Sequence, residues 1–472
     1  MHPRFAHIVR LLAAGALGAC AGGAWVPARA AADMPAPGSA QVLQAEFPER
    51  KFPGLQEILR QGLVSGPAIM MSEWNASAAA QDAKGAGGRA SLLPSLGGGA
   101  SVGQTYEQYR SGGVSNNNSM TAVLYNLGLS QPVYAWDSLT NSYQIRKLQQ
   151  AVAERNIGEV RRGLAIDIRR RYFDIVLMAG VLDLARKNME RLERDRREME
   201  QAIADGTAAA GLIDGPNRSI QIARPEIMRL ENELAALKQG LAQLTGLPEA
   251  VIDKIPAEIP ALPDLHEALQ ALSAGEKPPP STQLQNLAAA ASIERLNYAI
   301  TKKRLYPRLG VALSVDQQNR TANNTSVGPR YLYTTWGAYA TVNWTLFDGL
   351  ATQAAKRASI ERMKIAEAGR SQAEKQEGAE RRMEVARLLV QWEQLQNTER
   401  DLARTRAGMI VTEQDFKNGT ASARQAEDAR MAYLSALQNP YGAQAARANF
   451  YIALVSCLSN RGQDPVIMAV QQ

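Results

Sequence analysis

The chain has 472 residues and a formal net charge of +7, from 53 basic and 46 acidic side chains. Acidic and basic residues alternate along helical stretches such as 191–197, which is typical of a solvated helix face and argues against a nucleic-acid partner. With three histidines, two cysteines and no phosphate-binding or dinucleotide glycine motif, the sequence predicts no enzyme activity, no cofactor and no metal site; a catalytic triad would depend on His266, in a proline-rich stretch.

The N-terminus predicts an exported protein. Arg4 and Arg10 precede an apolar stretch over 11–26, and Ala28-Arg29-Ala30 fits a peptidase cleavage site, which gives a signal peptide over 1–30. Leu17-Gly18-Ala19-Cys20 also fits a lipoprotein cleavage box, which would end the signal at 19 and make Cys20 a lipidated first residue. Both interpretations stay open. No later segment has the roughly 18 consecutive apolar residues of a transmembrane helix.

The rest of the chain consists of two copies of one sequence pattern, related by a constant offset of 213 residues. Pro67 aligns with Pro280, and Gly206-Thr207 aligns with Gly419-Thr420. A long internal repeat is more typical of a scaffold, pore or array than of an enzyme. The predicted divisions after the signal are an N-terminal segment (31–66), a first structural repeat (67–246), a proline-rich connector (247–279), a second structural repeat (280–460) and a C-terminal tail (461–472).

Each repeat predicts a helix, a strand pair, a long helix and a returning helix, in that order. In the first repeat these are 67–89, then strands 96–106 and 120–133, then 135–204 and 225–244. In the second they are 280–305, then strands 309–317 and 336–347, then 350–417 and 421–458.

The long helices have coiled-coil patterning. Leu388, Leu395, Leu402 and Met409 recur every seven residues, and Ile175, Leu182 and Met189 do so in the first repeat. Nearly 70 helical residues would span about 100 Å at about 1.5 Å per residue. Because the returning helices are shorter, we expect the helix that begins each repeat to stack end to end with the returning one and complete the partner of the long helix.

The strands alternate apolar and polar residues, as strands with one apolar face do. Trp336 and Trp344 lie on the same predicted strand face, about 26 Å apart, which is near the roughly 25 Å apolar band between membrane aromatic girdles. Four strands cannot close a barrel, so strands in a membrane must be pooled from several copies. A soluble sandwich with buried tryptophans is the alternative.

These segments resemble the TolC-like outer-membrane efflux and secretion channels of Gram-negative bacteria. The resemblance is carried by paired segments that open strands (LLPSLGGGASV and LYPRLGVALSV), by segments that lead into the long helices (GLSQPVYAW and NWTLFDGL), and by NGTAS ahead of AEDARMAYLSAL. It covers about residues 41–460. It implies a mixed, mainly α fold: a homotrimer whose long helices form a periplasmic α-barrel tunnel, with four β-strands per protomer contributing to a 12-stranded transmembrane β-barrel in outer-membrane lipid.

The resemblance also implies sites and partners. Two helical tips would contact a periplasmic adaptor protein, and residues near the second tip would form the periplasmic gate. The tip residues are Asp205, Gly206, Thr207, Asn418, Gly419 and Thr420. The gate residues are Asp428, Gln425 and Arg424; family members often carry a carboxylate where this chain has Gln425. The glycines could instead be plain helix terminators, and Asp428 a solvated carboxylate.

The expected function is that of a passive outer-membrane exit channel in a tripartite export system, for drug efflux or type I protein secretion. The inner-membrane partner would be an ABC or a proton-driven transporter. The alternative is a periplasmic structural or adhesion protein with coiled-coil rods and a soluble β-head.

Overall fold

The computed structural model describes residues 43–44, 46–85, 87–111, 114–248, 256, 258–274, 280–322, 330–439 and 442–470. The helices before the connector are α1 (Pro48–Lys51), α2 (Pro53–Ser65), α3 (Pro67–Lys84), α4 (Ser138–Ala204) and α5 (Asp214–Thr245). The helices from the connector onward are α6 (His266–Ala274), α7 (Thr282–Lys302), α8 (Ala351–Lys417), α9 (Ala423–Gln438), α10 (Ala443–Asn460) and α11 (Pro465–Val470). The strands are β1 (Ser95–Ser111), β2 (Val114–Tyr134), β3 (Arg308–Ala322) and β4 (Arg330–Asn343).

The four strands form one antiparallel sheet in the order β1-β2-β3-β4. The register separates an apolar face from a polar one, because residues that pair across strands point to the same side. One apolar row across the sheet is Leu96, Leu129, Leu313 and Ala338. One polar row is Gly99, Asn126, Asp316 and Thr335. Within the described chain, the outer edges of β1 and β4 have no partner strand.

Two long helices dominate the molecule. Helices α4 and α8 have 67 residues each, which corresponds to about 100 Å. Helices α3 and α5 both lie along α4, while α7, α9 and α10 lie along α8. Shorter helices therefore lie beside each long helix, as predicted, although three rather than two accompany α8.

The returning helices differ from the prediction. Helix α5 begins at Asp214 and carries Pro225 in its interior, although the sequence suggested a start at Pro225. The proline leaves the carbonyl of Gln221 without its helical donor, but both residues are exposed, so water can bind that carbonyl. The predicted single helix over 421–458 is two helices, α9 and α10. Asn439 is extended (φ −62°, ψ 142°) because it precedes a proline in the sequence, and such a residue disfavours the helical region.

The hydrophobic core lies near the middle of the long helices, where the N-terminal helices, the connector and the C-terminal helices surround them. The coiled-coil positions Leu388, Leu395, Leu402, Ile175 and Leu182 are buried, whereas Met409 and Met189 at the ends of the two series are half-buried. The first part of the core also contains Leu55, Ile58, Leu59, Leu63, Leu164, Ile168, Phe173 and Tyr451. The second part contains Leu43, Phe47, Leu265, Leu269, Trp392, Phe450 and Leu454.

Candidate functional site

The two predicted tips are turns with the same geometry. Gly206 and Gly419 follow the ends of α4 and α8 with φ of +72° and +77°. In the first turn the Thr207 backbone N–H donates to the Ala202 carbonyl at 2.9 Å, and in the second the same bond joins Thr420 to Asp415 at 2.9 Å. This six-residue closure with a left-handed glycine is the Schellman helix ending. Each long helix therefore stops at a conformation that glycine adopts without strain.

The threonines of the two turns complete the helix ends. The Thr207 hydroxyl donates to the Ala202 carbonyl at 2.9 Å, and the Thr420 hydroxyl donates to the Asp415 carbonyl at 2.9 Å. Each threonine thus gives two hydrogen bonds to one carbonyl that the helix leaves without a partner. The sequence located these residues through the repeat but did not reveal this role. The flanking Asp205 and Asn418 are the C-cap residues of α4 and α8.

After the turns the two copies differ. The first continues through a short 3₁₀ turn over Ala210–Ile213 into α5, whereas the second enters α9 through a capping box. The Ser422 hydroxyl accepts from the Gln425 backbone N–H at 3.3 Å, and the Gln425 side chain accepts from the Ser422 backbone N–H at 2.8 Å. Gln425, predicted as a gate residue, is therefore used to begin a helix.

Two ion pairs join α9 to α4 just behind the second turn. Asp428 pairs with Arg191, and Glu427 pairs with Arg194 at 3.2 Å. The predicted gate carboxylate thus has a cation opposite it on another helix. Glu427 and the two arginines were missed in the sequence, because only the tertiary structure brings residues more than two hundred positions apart into contact.

A cleft of about 870 Å³ lies between the ends of α4, α8 and α9. Its walls mix both signs of charge with a few apolar side chains. They include Arg191, Arg194, Arg424, Glu413, Glu427 and Phe416. Within the described chain, Arg424 has no ion pair of its own and contributes its charge to this cleft.

Of the two residues of the predicted aromatic girdle, one lies in a strand and the other does not. Trp336 lies on the apolar face of β4, opposite Val315 of β3, and is 78 % exposed. Trp344 is not in the strand, because β4 ends at Asn343 rather than at the predicted Phe347. Its indole N–H donates to the Leu305 carbonyl at 2.9 Å, while 59 % of the residue stays exposed.

A joint between the two repeats at the base of the sheet was missed in the sequence. The Trp136 indole donates to the Pro307 carbonyl at 2.7 Å, and Asp137 pairs with Lys303 at 2.8 Å. Trp136 and Asp137 have φ of 53° and 63°, and the equivalent Gly349 and Leu350 have 65° and 70°. The alignment of Trp136 with a glycine was a signal that could have revealed this left-handed strand-to-helix turn.

A buried ionic cluster, also missed, ties both described ends of the chain to α4. The Arg169 guanidinium binds the Asp464 carboxylate with two hydrogen bonds of 2.8 and 3.1 Å, and it pairs with Glu49. All three residues are less than 5 % exposed, and the guanidinium lies over the Phe47 ring. Burial acts to lower the pKa of Arg169, but the two carboxylates together outweigh it and raise that pKa, while burial raises the pKa of Glu49. Among the residues that the structure describes, the buried Glu49 Oε2 atom has no hydrogen-bond partner.

Some predictions fall outside the described residues, namely the signal peptide over 1–30, the possible lipidation of Cys20 and parts of the connector. They stay predictions. Among the described residues, no helix is both long and apolar enough for a bilayer crossing. The same residues contain no group of side chains suited to a metal ion.

The family follows from the sequence. A sequence model described as "Outer membrane efflux protein" matches residues 58–247 and 280–460, which is most of the chain and includes both repeats. The chain belongs to the outer membrane efflux protein family. Members of this family are channels rather than enzymes; they are trimeric and work with adaptor and inner-membrane transporter proteins.

Solved structures show the same fold. The chain is similar to the Campylobacter jejuni CmeC outer membrane channel, with a TM-score of 0.69, 11 % identity, and coverage of 89 % of this chain and 88 % of that one. It is also similar to the outer membrane protein VceC of Vibrio cholerae, with a TM-score of 0.64, 13 % identity, and coverage of 90 % of this chain and 99 % of that one. A third similar structure is the open state of the Neisseria gonorrhoeae MtrE outer membrane channel, with a TM-score of 0.61, 15 % identity, and coverage of 86 % of this chain and 89 % of that one. Among proteins with curated functions, none matches the sequence significantly.

The efflux family assignment gives the location and the general function. The chain is an outer-membrane exit channel of a tripartite efflux system, with its helical tunnel in the periplasm of a Gram-negative bacterium. The mainly α fold with four antiparallel strands, predicted from the sequence, is confirmed. The alternative of a periplasmic adhesion protein finds no support.

Proposed function

We propose that three copies of this chain assemble into one passive duct through which cargo leaves the cell. The observation that supports this most strongly is the open sheet. The outer edges of β1 and β4 carry no partner strand in the described chain, and unpaired backbone groups are not tolerated in lipid. Strands from neighbouring copies would pair with these edges, and three copies would supply twelve strands.

The route to the membrane begins with export. The signal peptide over 1–30, or the shorter signal that ends before Cys20, would direct the chain across the inner membrane. The exposed Trp336 and Trp344 would then lie at the two boundaries of the apolar band, where aromatic side chains are favoured. Trp344 suits a boundary position because its indole N–H already has an acceptor in Leu305.

The two glycine turns are proposed as the docking points of the periplasmic adaptor. They close α4 and α8 with the same pattern of hydrogen bonds, so an assembled trimer would present six such turns at one end, three of each kind. The backbone of Gly206 and Gly419 is open to an approaching partner, since no atom lies where a side chain would project. The cleft beside the second turn offers charges of both signs to the same partner.

The ion pairs behind the second turn are proposed as the gate. Asp428–Arg191 and Glu427–Arg194 hold the start of α9 against α4. Breaking them would let α9 move away and widen the tunnel end. Arg424 would bias the ions that pass, because it carries an unpaired positive charge, within the described residues, in the cleft. Gln425 would contribute by fixing the first turn of α9.

The duct itself needs no energy source, and a partner in the inner membrane would supply it. An ABC transporter would fit type I protein secretion, and a proton-driven pump would fit drug efflux. A strain that lacks this protein would separate the two: loss of resistance to small toxic compounds supports efflux, and loss of a secreted protein supports type I secretion.

A direct test of the duct uses protein extracted with detergent from outer membranes. We expect a trimer that gives discrete ion conductance in planar bilayers. Recovery of a monomer in osmotic-shock fluid, without any conductance in bilayers, would contradict the proposal.

A further inference from the structure

A hollow of about 510 Å³ lies on the polar face of the sheet, and all four strands contribute to its lining. We call it the sheet hollow. Two neighbouring rows of the register line it: the polar row that contains Asn126 and Asp316, and the next row on the same face, which contains Leu124, Gln318 and Tyr333. Small-molecule sites in proteins usually measure about 300–1,000 Å³, so the hollow has the size of such a site.

Small residues shape the sheet hollow. The adjoining row toward the helices contributes no side chain larger than serine; its members are Gly97, Gly128, Ser314 and Gly337. At Gly99, an added Cβ would stand 2.6 Å from Asn126 Oδ1, because the Asn126 amide lies across the glycine. The missing side chain at position 99 thus lets this amide lie along the floor of the hollow on the β1 side.

Asp316 brings a negative charge to the sheet hollow. Its carboxylate accepts a hydrogen bond from the Ser314 hydroxyl at 2.9 Å, and no described basic residue forms an ion pair with it. Arg320 lies two rows away on the same face of β3. With the Gln318 amide oxygen turned toward it, the Arg320 Nε–H donates to that oxygen at 2.8 Å. The Asp316 carboxylate is therefore accessible to a cation from solution.

An apolar surface lies directly beside this charge. Leu124 and Tyr333 are in the next row, and they are 40 % and 57 % exposed. Successive rows on one face are about 7 Å apart along a strand, so a molecule the size of a substituted benzene reaches from the carboxylate to this surface. The face of a tyrosine ring also attracts cations. The hollow thus offers a charge contact and a ring contact at once.

We propose that the sheet hollow binds organic cations that carry an ammonium group on an apolar ring. Asp316 holds the ammonium group, and Leu124 and Tyr333 contact the ring. The role of this site in transport rests on the proposed duct, in which the polar face of the sheet lines the passage. The hollow is then a weak binding site for cationic cargo on its way out.

Each copy of the chain carries a complete site. In a twelve-stranded assembly, equivalent residues of neighbouring copies are four strands apart, which is about 19 Å at the usual spacing of about 4.8 Å between strands. Three Asp316 carboxylates at that separation cannot coordinate one small ion together. The ligand is therefore an organic cation held by one copy rather than a metal ion shared by three.

Equilibrium dialysis of detergent-extracted protein tests the site without requiring a channel. The probe is benzyltrimethylammonium; tetramethylammonium and benzyl alcohol are the reference ligands, since each retains one half of the probe. We expect the probe to bind at least about fivefold more tightly than either reference, because only the probe makes both contacts. Asp316→Asn should weaken binding of the probe by about fivefold, which is the most that one exposed charge pair contributes.

A second variant and a matched control separate the two contacts. Tyr333→Leu should weaken binding of the probe by about two- to fivefold and leave tetramethylammonium binding unchanged. The control combines Ser314→Asp with Asp316→Asn, which keeps the charge of the polar face but moves it one row farther from Leu124 and Tyr333. It should not restore binding of the probe.

Wild-type affinity for the probe in Asp316→Asn or in the double variant would overturn the site. Equal affinity of the wild type for the two ammonium ions would do the same. Conductance in planar bilayers is measured separately on the same preparations. Charge-dependent binding without conductance would reject the duct and leave the site standing, whereas conductance without charge-dependent binding would reject the site and leave the duct.

Discussion

Single residues decide where the long helices stop and how the chain ends are held. Gly206 and Gly419 adopt a left-handed conformation that costs other residues about 1–2 kcal/mol. Arg169 is stabilised by two carboxylates, and its removal would leave both charges buried. The first feature is readable from a repeated Gly-Thr pair. The second depends on residues at opposite ends of the chain.

Gly419→Ala should destabilise the end of α8 by about 1 kcal/mol, because alanine is strained at a φ of +77°. Gly408→Ala is the matched control, since Gly408 is exposed inside the same helix with open space around it. The control should stabilise the helix by about 0.5–1 kcal/mol. Hydrogen exchange of the last turns of α8 measures both. Equal protection in the two variants would contradict the role of the turn.

Arg169→Leu should lower the free energy of unfolding by about 3–5 kcal/mol, because Glu49 and Asp464 lose their buried partner. The control is Arg404→Leu, which removes an exposed pair with Asp401. Its effect should stay below about 1 kcal/mol. Denaturant unfolding in detergent compares the two variants, and similar midpoints would refute a stabilising role for the buried cluster.

The stability should also depend on pH through Glu49. Burial raises the pKa of this carboxyl above its ordinary value of 4.5. A group with a raised folded-state pKa stabilises the fold below its unfolded pKa and loses that contribution as the pH rises through the folded pKa. The stability of the wild type relative to Glu49→Gln should therefore fall as the pH rises above 4.5. Melting temperatures of the wild type and Glu49→Gln across a pH series test this direction. If the melting temperature of the wild type rose relative to that of the variant as the pH increased, the prediction would be wrong.

At the scale of elements, the end of the molecule that carries the proposed gate is held together unevenly. Helix α9 is short and has a capping box, and its first half is bound to α4 through two ion pairs at the surface. Exposed ion pairs contribute about 0–1 kcal/mol each. The start of α9 is thus held weakly enough to move, whereas the middle of α8 is held by buried leucines and Trp392.

Replacing both Asp428 and Glu427 by alanine should raise the open probability of the channel by up to about 30-fold, because each lost pair removes up to about 1 kcal/mol of closed-state stability. Asp401→Ala is the control, since it removes an exposed pair within α8 alone. Single-channel recordings in bilayers provide the comparison. Unchanged traces for the double variant would remove Asp428 and Glu427 from the gate.

At the scale of the whole molecule, the internal repeat accounts for most of the architecture that could be predicted. The offset located two long helices, two strand pairs and two turns, because one supersecondary unit repeated in sequence repeats in structure. Two of the errors, both in the returning helices, lie where proline gives an ambiguous signal. Pro225 is tolerated inside an exposed helix, while the proline after Asn439 separates two helices.

The sequence alone determined the periodic features: coiled-coil burial of Leu388 and Leu395, alternation along the strands, and the two glycine turns. These depend on neighbours within a few residues, so local spacing specifies them. Tertiary structure decided the partners of Asp428, the Arg169 cluster and the joint at Trp136. Such contacts join residues that are distant along the chain, and their geometry exists only after the helices and strands have packed.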